Sequence, residues 1–172
     1  AGVFCWGSSS NPSTFIMYGG KITNNHATYS GSDINVKPSG GGVFLREYSK
    51  FEMYGGEITG NTATYGGGVY CGAIISPNTA EMILHGGKIT GNTATYGGGV
   101  YFKDKAFQVT GKGKVTITDN TGNGGKNVVL FDGKIIQVTG KLHEDTRIGV
   151  RSFHNPTDGN PITIAKATDG GW

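Results

Sequence analysis

The side chains able to carry out acid–base, nucleophilic or metal chemistry are twelve carboxylates, four histidines and two cysteines. Cleaving a polysaccharide takes two or three carboxylates on one face, or carboxylates joined to a calcium ion and an arginine or lysine base. When the chain is aligned on its own repeats, Glu52 falls opposite Ile16 and Ile83, Glu47 opposite Ala73, and Asp119 opposite Gly60. Only Glu144 and Asp145 adjoin, in a segment that reads as a terminal loop. His26, His85, His143 and His154 occupy four different repeat positions. No metal-ligand set and no nucleophile–base–acid set emerges, so no catalytic residue, metal or cofactor is expected. The glycine clusters are not phosphate loops, because neither a helix nor a Lys-Ser/Thr pair follows them.

The elements that would position these residues are written in a repeat. "ITGNTATYGGGVY" stands letter for letter at Ile58 to Tyr70 and at Ile89 to Tyr101, with a looser copy, "ITNNHATYSG", at Ile22 to Gly31. A valine mostly preceded by glycine marks each copy: Val3, Val43, Val69, Val100 and Val128. Each copy holds three short alternating apolar runs, such as "GGVYC", "EMILH" and "KITGN", that stop at Gly, Asn or Thr. Alternation over a few residues between such breakers is a strand signature. Helical periodicity is absent, and each interior glycine would cost a helix about 1 kcal/mol. Three short strands in a copy of roughly 30 residues make one turn of a parallel β-helix, a stacked solenoid. The expected fold is therefore all-β: a right-handed parallel β-helix of about five coils with three short strands per coil, its hand following the preference of parallel crossovers. A propeller blade would need four antiparallel strands in roughly 40 residues.

In a solenoid, corresponding residues stack into columns. The valines form one inner column, and Cys5, Leu45, Cys71, Phe102 and Leu130 form the next. Phe15, Phe51, Met82 and Phe107 form another, as do Met17, Met53, Leu84 and Val109, and Ile22, Ile58, Ile89 and Ile117. Asn25, Asn61, Asn92 and Asn120 each follow the column isoleucine by three residues, and they read as an asparagine ladder. Lys21, Glu57 and Lys88 alternate in sign in one slot, as a cross-strand ion-pair column. Thr23, Thr59, Thr90 and Thr118 make an outward column, but the neighbouring Thr62 and Thr93 give way to His26, so no second full row completes an ice-binding face. Cys5 and Cys71 lie two coils apart, roughly 9–10 Å at ~4.8 Å per step. A disulfide needs Cα atoms within about 7 Å, so both are expected as buried thiols. Between the first two inner columns, alternation points Phe4, Phe44, Tyr70 and Tyr101 outward. An exposed row of rings suits a sugar or a protein partner, and Phe44, Tyr70 and Tyr101 are the expected ligand-binding residues.

Glycine accounts for 32 of 172 residues, without the strict three-residue period of collagen. The net charge of +3 comes from scattered side chains with no basic run, so nucleic acid is not an expected partner. No stretch approaches the length of a membrane-spanning helix.

At "ITGNTATYGGGVY" the chain resembles the glycine-rich β-helix repeats of large bacterial cell-surface and adhesin-like proteins, and it is similar to the "GGA-I" repeats of chlamydial polymorphic outer-membrane proteins. The segment "GGKNVVLFDGKIIQVTGKLHEDTRIGV" looks like the closing coil of such regions. The resemblance runs from Val3 to about Val150, with Ile58 and Ile89 standing where the chlamydial repeats carry Phe. It implies an extracellular or cell-surface module that is not an enzyme, acting as adhesin, binding module or stalk, with an extracellular glycan or host protein as partner. The alternative is a polysaccharide-active enzyme or glycan-binding module of the pectate-lyase-like β-helix class. Residues 1–150 are expected to form the repeats and residues 151–172 a C-terminal cap or the start of a linker. The chain is expected to be part of a longer protein.

Overall fold

Runs of three to five residues are too short to fold alone, so each gains its hydrogen bonds from the copy before and after it. The computed structural model describes residues 1–28, 38–73, 75, 79–152 and 165–167. Among them there is no helix, and every strand pairing is parallel. Three sheets run the length of a parallel β-helix. The valine face stacks six strands: Val3–Cys5, Val43–Leu45, Val69–Cys71, Val100–Phe102, Val128–Leu130 and Val150–Ser152. The phenylalanine face also has six: Ser13–Met17, Ser49–Met53, Glu81–Leu84, Ala106–Thr110, Ile136–Thr139 and Ala165–Ala167. The isoleucine face has five: Lys21–Thr23, Glu57–Thr59, Gly87–Thr90, Val115–Thr118 and Arg147–Ile148.

The expected columns are the observed registers. Val3 pairs with Val43, Val43 with Val69, Val69 with Val100 and Val100 with Val128. Phe15–Phe51–Met82–Phe107 and Ile22–Ile58–Ile89–Ile117 follow in the same way. These side chains form one continuous core, fully buried from the second coil onward. Cys5 and Cys71 are free thiols in that core, with Leu45 between them, and burial raises the pKa of both.

Three features differ from the expectation. The stack has a sixth turn, because Val150 pairs with Val128 and Ala165 with Ile136. Strand pairing thus continues past residue 150, where "RIGVRS" keeps the alternation but has lost the triple glycine that marks the earlier turns. Pro156 and Pro161 lie outside the described residues. A fourth strand also appears in two coils, Thr62–Tyr65 paired with Thr93–Tyr96, so the "TATY" half of the repeat is itself a strand. Finally, of the outward rings of the valine face, Tyr70 and Tyr101 are covered, Phe44 is half-buried and Phe4 stays exposed.

The asparagine ladder closes the corner after the isoleucine face. The Oδ1 of Asn61 accepts the backbone N–H and the side-chain N–H of Asn25, both at 2.9 Å. Asn92 does the same for Asn61 at 3.0 and 2.9 Å, and Asn120 for Asn92 at 3.0 Å twice. Asn127 adds a rung below Asn120, accepting both N–H groups at 3.1 Å. The residue before each of the first four rungs is left-handed: Asn24, Gly60, Gly91 and Asp119 have φ of 57, 68, 65 and 57°. Asn, Asp and Gly are the residues that tolerate this conformation, which explains "NN", "GN", "GN" and "DN" in one slot.

Candidate functional site

The expected ligand row is present as a stack but not as an open surface. Phe44 meets Tyr70 edge-on at 5.0 Å, and Tyr70 lies parallel to Tyr101 at 5.7 Å. Yet Tyr70 and Tyr101 are only 6% and 5% exposed, and Phe44 is half-buried. The cause is the unforeseen fourth strand. It ends at Tyr65 and Tyr96, and the left-handed Gly66 and Gly97 (φ 62 and 63°) reverse the chain there. Tyr65 and Tyr96 stack on each other at 5.1 Å, and Tyr65 packs edge-on to Tyr101 at 5.1 Å. The result is a second apolar cluster of Tyr70, Tyr101 and Val129 with Phe44, Tyr65 and Tyr96 around it. Burial raises the Tyr70 phenol far above its ordinary range and pushes Tyr101 up to about 12. The expectation that alternation leaves these rings exposed is therefore corrected: residues facing away from one core are roofed by another strand.

Among the described residues, a group of reactive side chains meets at the next corner, after the phenylalanine face. Tyr18, Tyr54 and His85 stand in one column, each ahead of a Gly-Gly pair, in "MYGG", "MYGG" and "LHGG". Their rings stack along the helix axis, Tyr18 on Tyr54 at 5.1 Å and Tyr54 on His85 at 4.1 Å. Rings stacked this way show their edges to solvent, and the free outer side belongs to Tyr18, which is 73% exposed. Glu52 binds this column from the neighbouring strand. It accepts the Tyr54 hydroxyl at 3.1 Å, pairs closely with Lys50, and places Oε2 at 3.7 Å from His85 Nε2. On its other side His85 Nδ1 shares a 3.0 Å hydrogen bond with Thr110 Oγ1.

The order Thr110 hydroxyl, His85 imidazole, Glu52 carboxylate is that of a nucleophile relay. Two measurements separate it from a working one. The His85–Glu52 distance exceeds a hydrogen bond, and His85 and Thr110 are each 8% exposed, so a substrate atom has little access to either. Lys50 holds the Glu52 carboxyl below its usual range, mainly through their hydrogen bond. Burial, aided by Lys112, lowers the pKa of His85, so the ring is neutral at neutral pH despite the opposing pull of Glu52. Sequence reasoning missed this grouping because His85 replaces a tyrosine in its column, so no histidine pattern announces it.

Other carboxylates among the described residues have local partners. Asp104 and Glu47, 1% and 4% exposed, both serve the loop between Ala73 and Ala80. Asp104 accepts the backbone N–H of Ala73, of Ala80 at 3.0 Å and of Lys105 at 2.8 Å. Glu47 accepts the N–H of Ile75 at 2.8 Å and pairs with Arg46 at 3.1 Å. Buried carboxylates that hold a loop through its backbone N–H groups are structural. On the isoleucine face, Glu57 is shared by Lys21 at 3.0 Å and Lys88 at 3.4 Å, the expected ion-pair column. Glu144 and Asp145 lie on an exposed turn where Arg147 donates to the Glu144 carbonyl at 2.7 Å. His26 and His143 are exposed and far apart in sequence, and His154 lies outside the described residues.

Among the described residues, no three of His, Cys, Asp and Glu gather to hold a metal ion, and no helix is long and apolar enough to cross a membrane. Comparison with protein-family models, curated proteins and solved structures finds no match to the chain.

Proposed function

We propose that this chain is a non-catalytic module of the bacterial cell surface, working as an adhesin, binding module or stalk, with an extracellular glycan or host protein as its partner. The observation that carries the reading is the use of the side chains. The columns are spent on stacking, on the asparagine ladder and on ion pairs, and Asp104 and Glu47 are spent on pinning a loop. A rod so cross-braced presents its outer faces without further ordering, which favours repeated weak contacts with extended partners. The test is a glycan and host-protein array run beside a polysaccharide-degradation assay. Release of reducing or unsaturated ends from any polysaccharide refutes the reading.

A polysaccharide-active enzyme is the second reading, favoured by Glu52, His85, Thr110 and Tyr54 meeting at one corner. It requires a degradation activity that Glu52→Gln abolishes while the fold is retained.

A further inference from the structure

The outer side of the isoleucine face carries a groove lined by Gly56, Glu57, Gly87, Lys88, Lys114 and Thr116. Its floor is bare backbone at Gly56 and Gly87. Both are left-handed (φ 90 and 104°), a conformation that favours glycine over any residue with a Cβ. The walls are cationic. Register places Lys21, Glu57, Lys88, Thr116 and Arg147 in one outward column across five successive coils. Lys114 stands beside it, 3.9 Å from Asp145.

The charges in this column do not cancel. One carboxylate, Glu57, serves both Lys21 and Lys88, and its pKa is lowered first of all by Lys21, so it stays ionised while one lysine charge remains in excess. Arg147 spends its guanidinium on the carbonyls of Glu144 and Thr146, which leaves its charge uncompensated by them. The Lys21, Lys88 and Lys114 side chains are 66%, 56% and 51% exposed, so they are free to meet a ligand. Between Lys88 and Arg147 the hydroxyl of Thr116 is shielded from water and has no hydrogen-bond partner. Thr116 thus sets an uncharged step between two cations of the column. Thr59 and Thr90, two residues further along the same strands, offer half-buried hydroxyls beside the column.

The spacing selects the ligand. Within the column, cations recur at every second coil, at Lys21, Lys88 and Arg147, roughly 10 Å apart from two ~4.8 Å steps, while Lys114 of the intervening coil is offset by Asp145. That matches the disaccharide repeat of an extended acidic polysaccharide with an anionic group on alternate sugars. The excess of about one positive charge per repeat suits a monovalent carboxylate more than a dense run of sulfates. We infer that the groove over Thr116, between Lys88, Lys114 and Arg147, binds along the helix axis a polysaccharide carrying a carboxylate on every second sugar. The inference rests on the non-catalytic binding reading and gives it a ligand class and a site.

The experiment titrates the whole chain with hyaluronan oligosaccharides, which carry one carboxylate per disaccharide, against polygalacturonate and neutral dextran. Hyaluronan should bind best and lose affinity as salt screens the column. Lys88→Gln with Arg147→Gln should weaken it at least roughly tenfold. Because Arg147 also holds its own turn, Glu57→Gln supplies an independent reading: it releases Lys21 and Lys88 and should tighten binding several-fold. Retained folding of each variant is checked by circular dichroism. Dextran binding as well as hyaluronan, polygalacturonate binding better, or either substitution leaving affinity unchanged overturns the inference. Shortening of bound hyaluronan supports the groove while refuting the non-catalytic reading. Absence of both binding and shortening overturns the groove alone.

Discussion

Replacing Asn92 by alanine should be far more damaging than the same change at Asn25, although both are rungs of one ladder. Asn92 is wholly buried. Its Oδ1 accepts the backbone N–H of Asn61 at 3.0 Å and the side-chain N–H of Asn61 at 2.9 Å. Its Nδ2 donates to the carbonyls of Ile58 at 2.9 Å and Thr90 at 3.1 Å, and to Asn120 Oδ1 at 3.0 Å. Asn92→Ala strands the Asn61 N–H and removes the side-chain donor from the Ile58 carbonyl, both inside the protein. Two such groups at ~1–3 kcal/mol each give a loss of about 2–6 kcal/mol. Asn25 is half-buried and donates to Asn61 Oδ1 and, at 3.3 Å, to the Thr23 carbonyl. Its truncation leaves Asn61 Oδ1 still accepting the Asn25 backbone N–H, so the loss should be about 0.5–1.5 kcal/mol. The assay is urea unfolding followed by circular dichroism and by the fluorescence of Trp6 in a Trp172→Phe background. Two probes are needed because stacked repeats can unfold in parts. Equal losses for the two variants, or a loss below about 1 kcal/mol for Asn92→Ala, would refute the ladder as a buried hydrogen-bond chain.

Three further outcomes follow from other parts of the coil. Gly97→Ala should destabilise by at least about 1–3 kcal/mol, because the residue is left-handed at φ 63° and its Cβ would fall 2.4 Å from the Val100 carbonyl; thermal melting checks this. Cys5 and Cys71 should resist maleimide in the native protein and react fully in denaturant, since burial raises both thiol pKa values; a disulfide-bridged species in the mass spectrum would contradict the register. Stability should fall on acidification: the pKa values of His85 and Glu52 are both lowered on folding, so the unfolded chain takes up protons first as pH drops through ~6.5 and then ~4.3. His85→Gln should flatten the upper part of that decline, measured as urea midpoint against pH.

The core was legible because a stacked coil writes the same instruction into every copy. Val69 and Val100 sit in identical "GGGVY" contexts, and a column assigned by counting from the glycines cannot slip without turning every side chain to the wrong face. The ladder was legible for the same reason, except its last rung. Asn127 comes seven residues after Asn120, on the far side of the "TGNGGK" turn, so no fixed spacing pointed to it. What failed was the step from "outside the core" to "exposed". Alternation places Tyr70 and Tyr101 away from the valine column, but it carries no information about what lies beyond them. The cover came from "TATY", a run half polar and β-branched that lies outside the three apolar runs of each copy, and whose tyrosines meet the rings because Gly66 and Gly97 reverse the chain after them.

The same reasoning explains why the outer faces are where function must be sought. A position that answers to the core is fixed by stacking, and it repeats. His85 in a tyrosine column, Thr116 and Arg147 following Lys88, and Glu57 placed between two lysines are departures that stacking does not require. Departures of this kind gather on two outer surfaces, the corner after the phenylalanine face and the groove on the isoleucine face. The corner has satisfied most of its polar atoms internally, leaving the His85 Nε2 facing Glu52 across 3.7 Å. The groove has left positive charge in excess on exposed lysines, which an anionic partner can meet without displacing the core.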